Sequence, residues 1–121
     1  MDLILEPRDG LLLAIAVGQL SFDSAMESCR NMLDLAAGLG LRKILFDCIA
    51  VEGNLSADER FELGKNIAEN CQLRMRVPAI ALIGKPPAFT GLSARAASNR
   101  GMPMEIFPDR ERGLDWLRSR P

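Results

Sequence analysis

The chain has 121 residues, 48% of them hydrophobic and 26% charged, with 15 basic and 16 acidic side chains leaving a formal charge of -1. That size and balance suit one domain with a real core, and they argue against bulk nucleic-acid binding, which needs a basic surface to displace counterions. Histidine is absent, which removes any Ser-His-Asp or Cys-His device and any imidazole metal site within one chain.

Leu3 to Glu6 is predicted as a short strand. Pro7-Arg8-Asp9-Gly10 is a turn that folds it back as a hairpin onto Leu11–Val17, the most apolar run. That run is too short to span a bilayer. It also lacks the basic start and small-residue cleavage site of a signal peptide, so a buried strand is expected. Phe22, Ala25, Met26, Cys29, Met32, Leu33 and Ala36 then recur at spacings of three and four, the signature of one apolar helix face. Ser21, Asp23 and Ser24 compete for its cap, and Gly38 and Gly40 stop it.

"LRKILFD" is the third strand, with Asp47 closing it. A second helix is expected from about Ser56 to Asn70, with Phe61, Gly64, Ile67, Ala68 and Cys71 facing inward. "VPAIALIG" is continuously apolar, as in a strand covered on both faces. After the loop "GKPPAFTG", residues 89–100 are predicted as a third helix with Phe89, Leu92, Ala96 and Ala97 inward. "MPMEIF" is the fifth strand, and Pro103, which has no N–H for a ladder, marks it as an edge. Asp109 caps a last helix packed through Leu114 and Leu117. The order β-β-α-β-α-β-α-β-α predicts a single α/β domain with a mainly parallel five-strand sheet and one antiparallel leading strand.

This order resembles the STAS domain, the SpoIIAA-like fold of bacterial anti-sigma factor antagonists and of sulfate-transporter tails. More closely, the chain resembles small stand-alone bacterial proteins grouped as STAS-like or SEC14-like. The residues that carry the resemblance are "ILFD" at Ile44–Asp47, "VPAIALIG" at Val77–Gly84, "NRGMPMEIFPD" at Asn99–Asp109 and the closing "GLDWL". The resemblance spans nearly the whole chain, and its motifs specify fold better than activity. It implies a non-catalytic, regulatory domain that works by binding a protein partner. The alternative it implies is a SEC14-like binder of a lipid or other small molecule, which would need an interior cavity. Anti-sigma factor antagonists carry an Asp-Ser-Ser-Gly motif after the third strand, with the second serine phosphorylated. In register with it, this chain reads Leu55-Ser56-Ala57-Asp58, so Ala57 stands at the acceptor position.

Ser56 has a simpler reading in the residues themselves. Ser56-Ala57-Asp58-Glu59 is a capping box, and Asp58 and Glu59 also favour the positive end of the helix dipole. The cap is preferred over a phosphorylation site, because those two carboxylates oppose an added phosphate.

The ends of the strands supply the remaining candidates, since ligands of parallel sheets bind beyond the strands' carboxyl ends. Right-handed crossovers bring the loops after the third and fourth strands side by side. The expected binding rim therefore comprises Asp47, Glu52, Leu55, Ser56, Lys85, Phe89 and Thr90, with Leu55 and Phe89 as apolar anchors. An enzyme would need Asp47, Glu52, Lys85 and Thr90 around one pocket. A hard cation would need Asp47, Glu52 and Asp58, but no known metal-loop spacing is present. No metal, cofactor, nucleic acid or membrane span is expected, and a homodimer is left open. Arg42, Lys43, Arg74 and Arg76 are expected to be solvated at strand starts. The three cysteines, Cys29, Cys48 and Cys71, form no CxxC pair, so neither a zinc site nor a redox motif is indicated. Free, buried thiols suit a reducing cytosol, and a cytoplasmic location is expected.

Overall fold

A computed structural model describes residues 1–72, 77–86 and 88–120. Arg74 and Arg76 lie outside the described residues. The elements follow the order β1 (Asp2–Arg8), β2 (Leu11–Gln19), α1 (Phe22–Leu39), β3 (Lys43–Glu52), α2 (Ala57–Gln72), β4 (Ala79–Ile83), α3 (Leu92–Ser98), β5 (Met104–Phe107) and α4 (Arg110–Arg118). The sheet order is β1-β2-β3-β4-β5, with only the β1–β2 pair antiparallel. β5 lies at an edge, as Pro103 indicates.

The hairpin is tighter than the four-residue turn suggests. Pro7 and Arg8 remain in β1, and Arg8 pairs with Leu11. The loop is Asp9-Gly10, with φ of 51° and 81°. Two central residues at positive φ match the twist of the flanking strands, and Asx-Gly is the pair that tolerates it. α1 starts at a Ser21 cap whose hydroxyl accepts from the Ser24 N–H at 3.1 Å, and Gly40 ends it.

Alternation along the strands divides the apolar residues between two faces. Leu12, Ala14, Ile44, Phe46, Ile80 and Leu82 point to one side, where they meet Met32 of α1, Ile67 of α2 and Ala97 of α3. Leu13, Leu45, Ala81 and Ile83 point to the other, where they meet Leu117 of α4. Each fully buried Leu, Ile or Met contributes about 1.5–3 kcal/mol of transfer free energy, so the three-helix face carries most of the core.

α2 is rotated slightly from its expected setting. Leu63, Gly64, Ile67, Ala68 and Cys71 are buried, whereas Phe61 is 40% exposed and carries the Arg100 guanidinium 4.9 Å above its ring. The buried set follows i, i+4, i+8 from Leu63, and Phe61 falls off that stripe. Gly64 is where α2 meets α3. A Cβ there would run into the Ser93 carbonyl oxygen and press on the Ala96 Cβ at 3.0 Å.

Two boundaries differ from expectation for local reasons. β3 continues past Asp47 to Glu52 through a bulge, because Ile15 pairs with Asp47 but Val17 pairs with Ala50. The bulge frees the Ile49 N–H from the ladder, and Asp47 Oδ1 accepts it at 3.0 Å. α3 begins at Leu92 rather than at residue 89, since Gly91 at φ 85° interrupts the helical path. Phe89 thus sits in the loop before the helix.

Candidate functional site

The loop after β3 and the loop after β4 meet at the carboxyl end of the sheet. They enclose a groove of about 290 Å³ lined by Ile49, Glu52, Gly53, Lys85, Pro86 and Phe89, among others. Glu52 and Lys85 are exposed on it, and Phe89 is half-buried. The Phe89 ring packs so closely over Gly84 that a Cβ there would lie 2.6 Å from its Cδ2.

Other expected rim residues have different duties. Leu55 is 7% exposed and belongs to the core, so it is no surface anchor. It lies in the chain between the end of β3 and α2 and packs with the three-helix core. Ser56 caps α2: its N–H donates to Glu59 Oε1 at 3.0 Å and its Oγ accepts from the Glu59 N–H at 3.1 Å. That reciprocal pair is the capping box. Thr90 Oγ1 accepts from Arg60 at 2.9 Å.

Asp47 is turned to the opposite face of the sheet, 8% exposed, where its Oδ2 accepts from Arg110 Nε at 2.6 Å. Asp47, Glu52, Lys85 and Thr90 therefore do not converge on one pocket. The parity of β3 explains it: Asp47 shares the side of Leu45 and Lys43, under α4. Among the described residues, no group of three His, Cys, Asp or Glu side chains is placed to hold a metal ion. Lys43 also departs from its expected solvated role, since its Nζ donates to the Arg120 carbonyl at 2.7 Å.

Sequence reasoning missed Arg60, which joins the two loops. From the first turn of α2 it donates to Asn54 Oδ1, to Thr90 Oγ1 and, at 3.5 Å, to the Ala88 carbonyl. The Ser93 hydroxyl returns a bond to the Arg60 carbonyl at 2.9 Å. Only its position one turn past the cap hinted at this reach, because Ala88 and Thr90 lie 28 and 30 residues on.

Cys29 and Cys48 are poor nucleophiles. Burial pushes Cys29 up to about 12, with Cys71 adding to the shift and Arg30 opposing it. Burial likewise pushes Cys48 well up, helped by Cys29 and Asp47. Both stay protonated at neutral pH, and the thiolate is the reactive form. Beside them, between the sheet and the helices, lies an apolar cavity of about 40 Å³. Ligand pockets measure roughly 300–1,000 Å³, and this cavity is far smaller.

The architecture has known counterparts. An anti-sigma factor antagonist from Mycobacterium paratuberculosis matches at a TM-score of 0.64 with 14% identity, over 97% of this chain and 93% of that one. The anti-sigma factor antagonist SpoIIAA in its unphosphorylated form matches at 0.57 with 16% identity, over 98% of this chain and 100% of that one. The fold is SpoIIAA-like. A protein of Shewanella loihica PV-4 with that same SpoIIAA-like fold matches at 0.54 with 22% identity, over 96% of this chain and 92% of that one. No protein-family model matches the chain, and no curated protein matches it. Likeness at these identities establishes the SpoIIAA-like, STAS-type architecture, and a shared architecture hosts many functions.

Proposed function

We propose that the chain is a non-catalytic regulatory module that binds a protein partner at the rim formed by the loops after β3 and β4. The observation that carries this reading is the shared groove, with exposed Glu52 and Lys85 beside half-buried Phe89. An interface centre wants an aromatic anchor with charge around it, and this rim offers that combination. Arg60 supports the reading by tying both loops down, which lowers the ordering cost on binding. The likeness to anti-sigma factor antagonists agrees with a regulator that works through proteins. Asp47 takes no part at this rim, and Ser56 serves it as the cap that starts α2.

The test uses a Glu52→Lys, Lys85→Glu double variant, both positions being exposed. Tagged wild-type chain is used to capture proteins from a lysate of the source organism, with the variant in parallel. A reproducible partner should come down with the wild type and be lost with the variant, while the melting temperature stays unchanged. Equal capture by both chains, or none by either, overturns the reading.

A further inference from the structure

The sheet has two edges, and they are finished differently. At β5 the Pro103 and Phe107 carbonyls turn inward and accept from the N–H groups of Ile80 in β4 and of Gly84 just beyond it, at 2.9 and 3.1 Å. Alternation then turns the backbone groups of Met104 and Ile106 outward. Ser98 takes both of those on Met104: its Oγ accepts from the Met104 N–H at 3.2 Å and donates to the Met104 carbonyl at 2.9 Å. Pro103 and Pro108 flank the strand and have no N–H to offer. Only Ile106 is left to bond a further strand, so this edge is blunted against pairing.

β1 has no such guard. It runs seven residues, Asp2–Arg8, with β2 on one side only. The two-residue loop Asp9-Gly10 closes on the pair Arg8–Leu11, and a hairpin of that kind closes on a hydrogen-bonded pair. Arg8, Glu6, Ile4 and Asp2 therefore direct their backbone groups to β2, while those of Leu3, Leu5 and Pro7 face outward. An outward position is also where a strand tolerates proline. Side chains follow the same parity. Leu3 and Leu5 are half-buried against the three-helix core, and Asp2, Ile4, Glu6 and Arg8 are exposed on the α4 face. α4 packs on β3, β4 and β5, which leaves β1 and β2 as a strip beside it, with Ile4 55% exposed.

We propose that β1 pairs antiparallel with β1 of a second copy of this chain, with Leu5 on the two-fold axis, so that the two sheets become continuous. Pairing about Leu5 sets Asp2 opposite the partner's Arg8, Leu3 opposite the partner's Pro7 and Ile4 opposite the partner's Glu6. Every outward donor is met. The Leu5 N–H bonds the partner's Leu5 carbonyl, the Leu3 N–H bonds the partner's Pro7 carbonyl, and symmetry repeats both. The charges are self-complementary in this register, with an Asp2–Arg8 pair at each end. Glu6 already accepts from the Arg8 Nη2 at 2.8 Å, but that pair lies between exposed side chains and holds weakly. A guanidinium also has further N–H donors for a second carboxylate. The neighbouring registers fail. An axis at Ile4 sets Asp2 against the partner's Glu6, and one at Glu6 sets two glutamates face to face; like charges directly opposite are destabilising. An axis at Pro7 places two prolines where donors are needed, and one at Leu3 carries Glu6 to Arg8 past the end of the partner's β1. The strand thus matches its own copy at both ends, which selects a second copy over a foreign strand as the occupant. The pairing does not involve Glu52, Lys85 or Phe89.

Sedimentation velocity of the full chain over a range of concentrations reads the association, and the wild type is expected to dimerise. Arg8→Asp turns two cross-strand attractions into repulsions and should weaken the dimer about tenfold. Adding Asp2→Arg restores opposite charges and should bring the dimer back. The register is read by mixing an Ile4→Cys chain with a Glu6→Cys chain under mild oxidation. These positions face each other as a non-hydrogen-bonded pair, about 4.5 Å between Cα atoms, which is within disulfide reach. The mixed disulfide is expected to dominate, since links of either variant with itself would mark an axis at Ile4 or Glu6. The native thiols are buried and stay out of the exchange. A wild type that stays monomeric, a dimer indifferent to Arg8→Asp or unrepaired by Asp2→Arg, or self-linked products in place of the mixed one overturns the proposal. Circular dichroism melts confirm that each variant keeps the fold.

Discussion

One face of the sheet is covered by α1, α2 and α3, and the other by α4 alone. The first is a closed core in which Leu12, Met32, Ile44, Ile67 and Ile80 are wholly or almost wholly buried. The second grades from buried Ile83 and Leu117 beneath α4 to exposed Ile4 and Val17 beside it. The same alternating strands feed both, so the difference lies in what the helices can reach. A strand offers its two faces equally; crossover connections decide which one is filled. Stability therefore resides mainly on the three-helix face, and the exposed strand residues Ile4 and Val17 lie on the other.

The contrast is sharpest in truncation. Ile67→Ala on the closed face should cost about 2–5 kcal/mol by urea unfolding, because the site cannot collapse around the missing atoms. A loss comparable to that of a surface residue would contradict the closed-core description. Overpacking tests the same face from the other direction. Gly64→Ala drives a methyl group at a backbone carbonyl and should cost about 1–3 kcal/mol. At Gly113, on the buried side of α4, a Cβ would meet the Ile83 and Leu45 Cδ1 atoms at 2.6 and 3.1 Å. Those atoms are the far ends of flexible side chains and shift more cheaply than a backbone carbonyl, and alanine adds helix propensity of about 1 kcal/mol. Gly113→Ala should therefore be nearly neutral; equal penalties at the two glycines would remove the distinction between rigid and yielding faces.

Alkaline titration separates the faces chemically. Cys29 keeps its proton in the fold up to about 12, whereas the unfolded thiol ionises near 9. The unfolded chain then binds fewer protons than the native one, so stability holds below pH 9 and falls as pH rises from there toward 12. The slope is at most about 1.4 kcal/mol per pH unit for that thiol. Cys29→Ala should flatten it in unfolding curves taken at pH 8, 9 and 10, whatever its cost at neutral pH. An unchanged slope would locate the alkaline loss elsewhere.

Caps should be indifferent to the face. Ser56→Ala in α2 and Asp109→Ala in α4 each remove one side-chain bond to a helix N-terminus, at 3.1 and 2.9 Å. Each should cost about 1 kcal/mol. A large disparity would mean that one cap has a tertiary duty as well. The smallest effect is expected for Ile4→Ala on the open strip, within about 0.5 kcal/mol. A larger loss would mean that the strip is already covered in solution.

Local physics made much of this molecule legible from its residues. Three-and-four spacing located α1, Ser56 with Glu59 marked the start of α2, Asp109 marked the start of α4, and Pro103 marked an edge strand. Each signal acts within a turn or two of chain, so it is complete in the sequence. The same holds for the meeting of the loops after β3 and β4, because neighbouring parallel strands end side by side. What the tertiary structure decided is which way particular groups turn and whom they meet. Asp47 reads as a loop acid, yet strand parity and a bulge send it to Arg110, 63 residues away. Leu55 reads as a rim residue, yet it is drawn under α2 into the core. Arg60 gains its role only because Asn54, Ala88 and Thr90 converge on it. The open strip beside α4 likewise has no local mark, since every strand residue in it has the alternation of a covered one. Packing between distant segments chose which half of that face to leave bare.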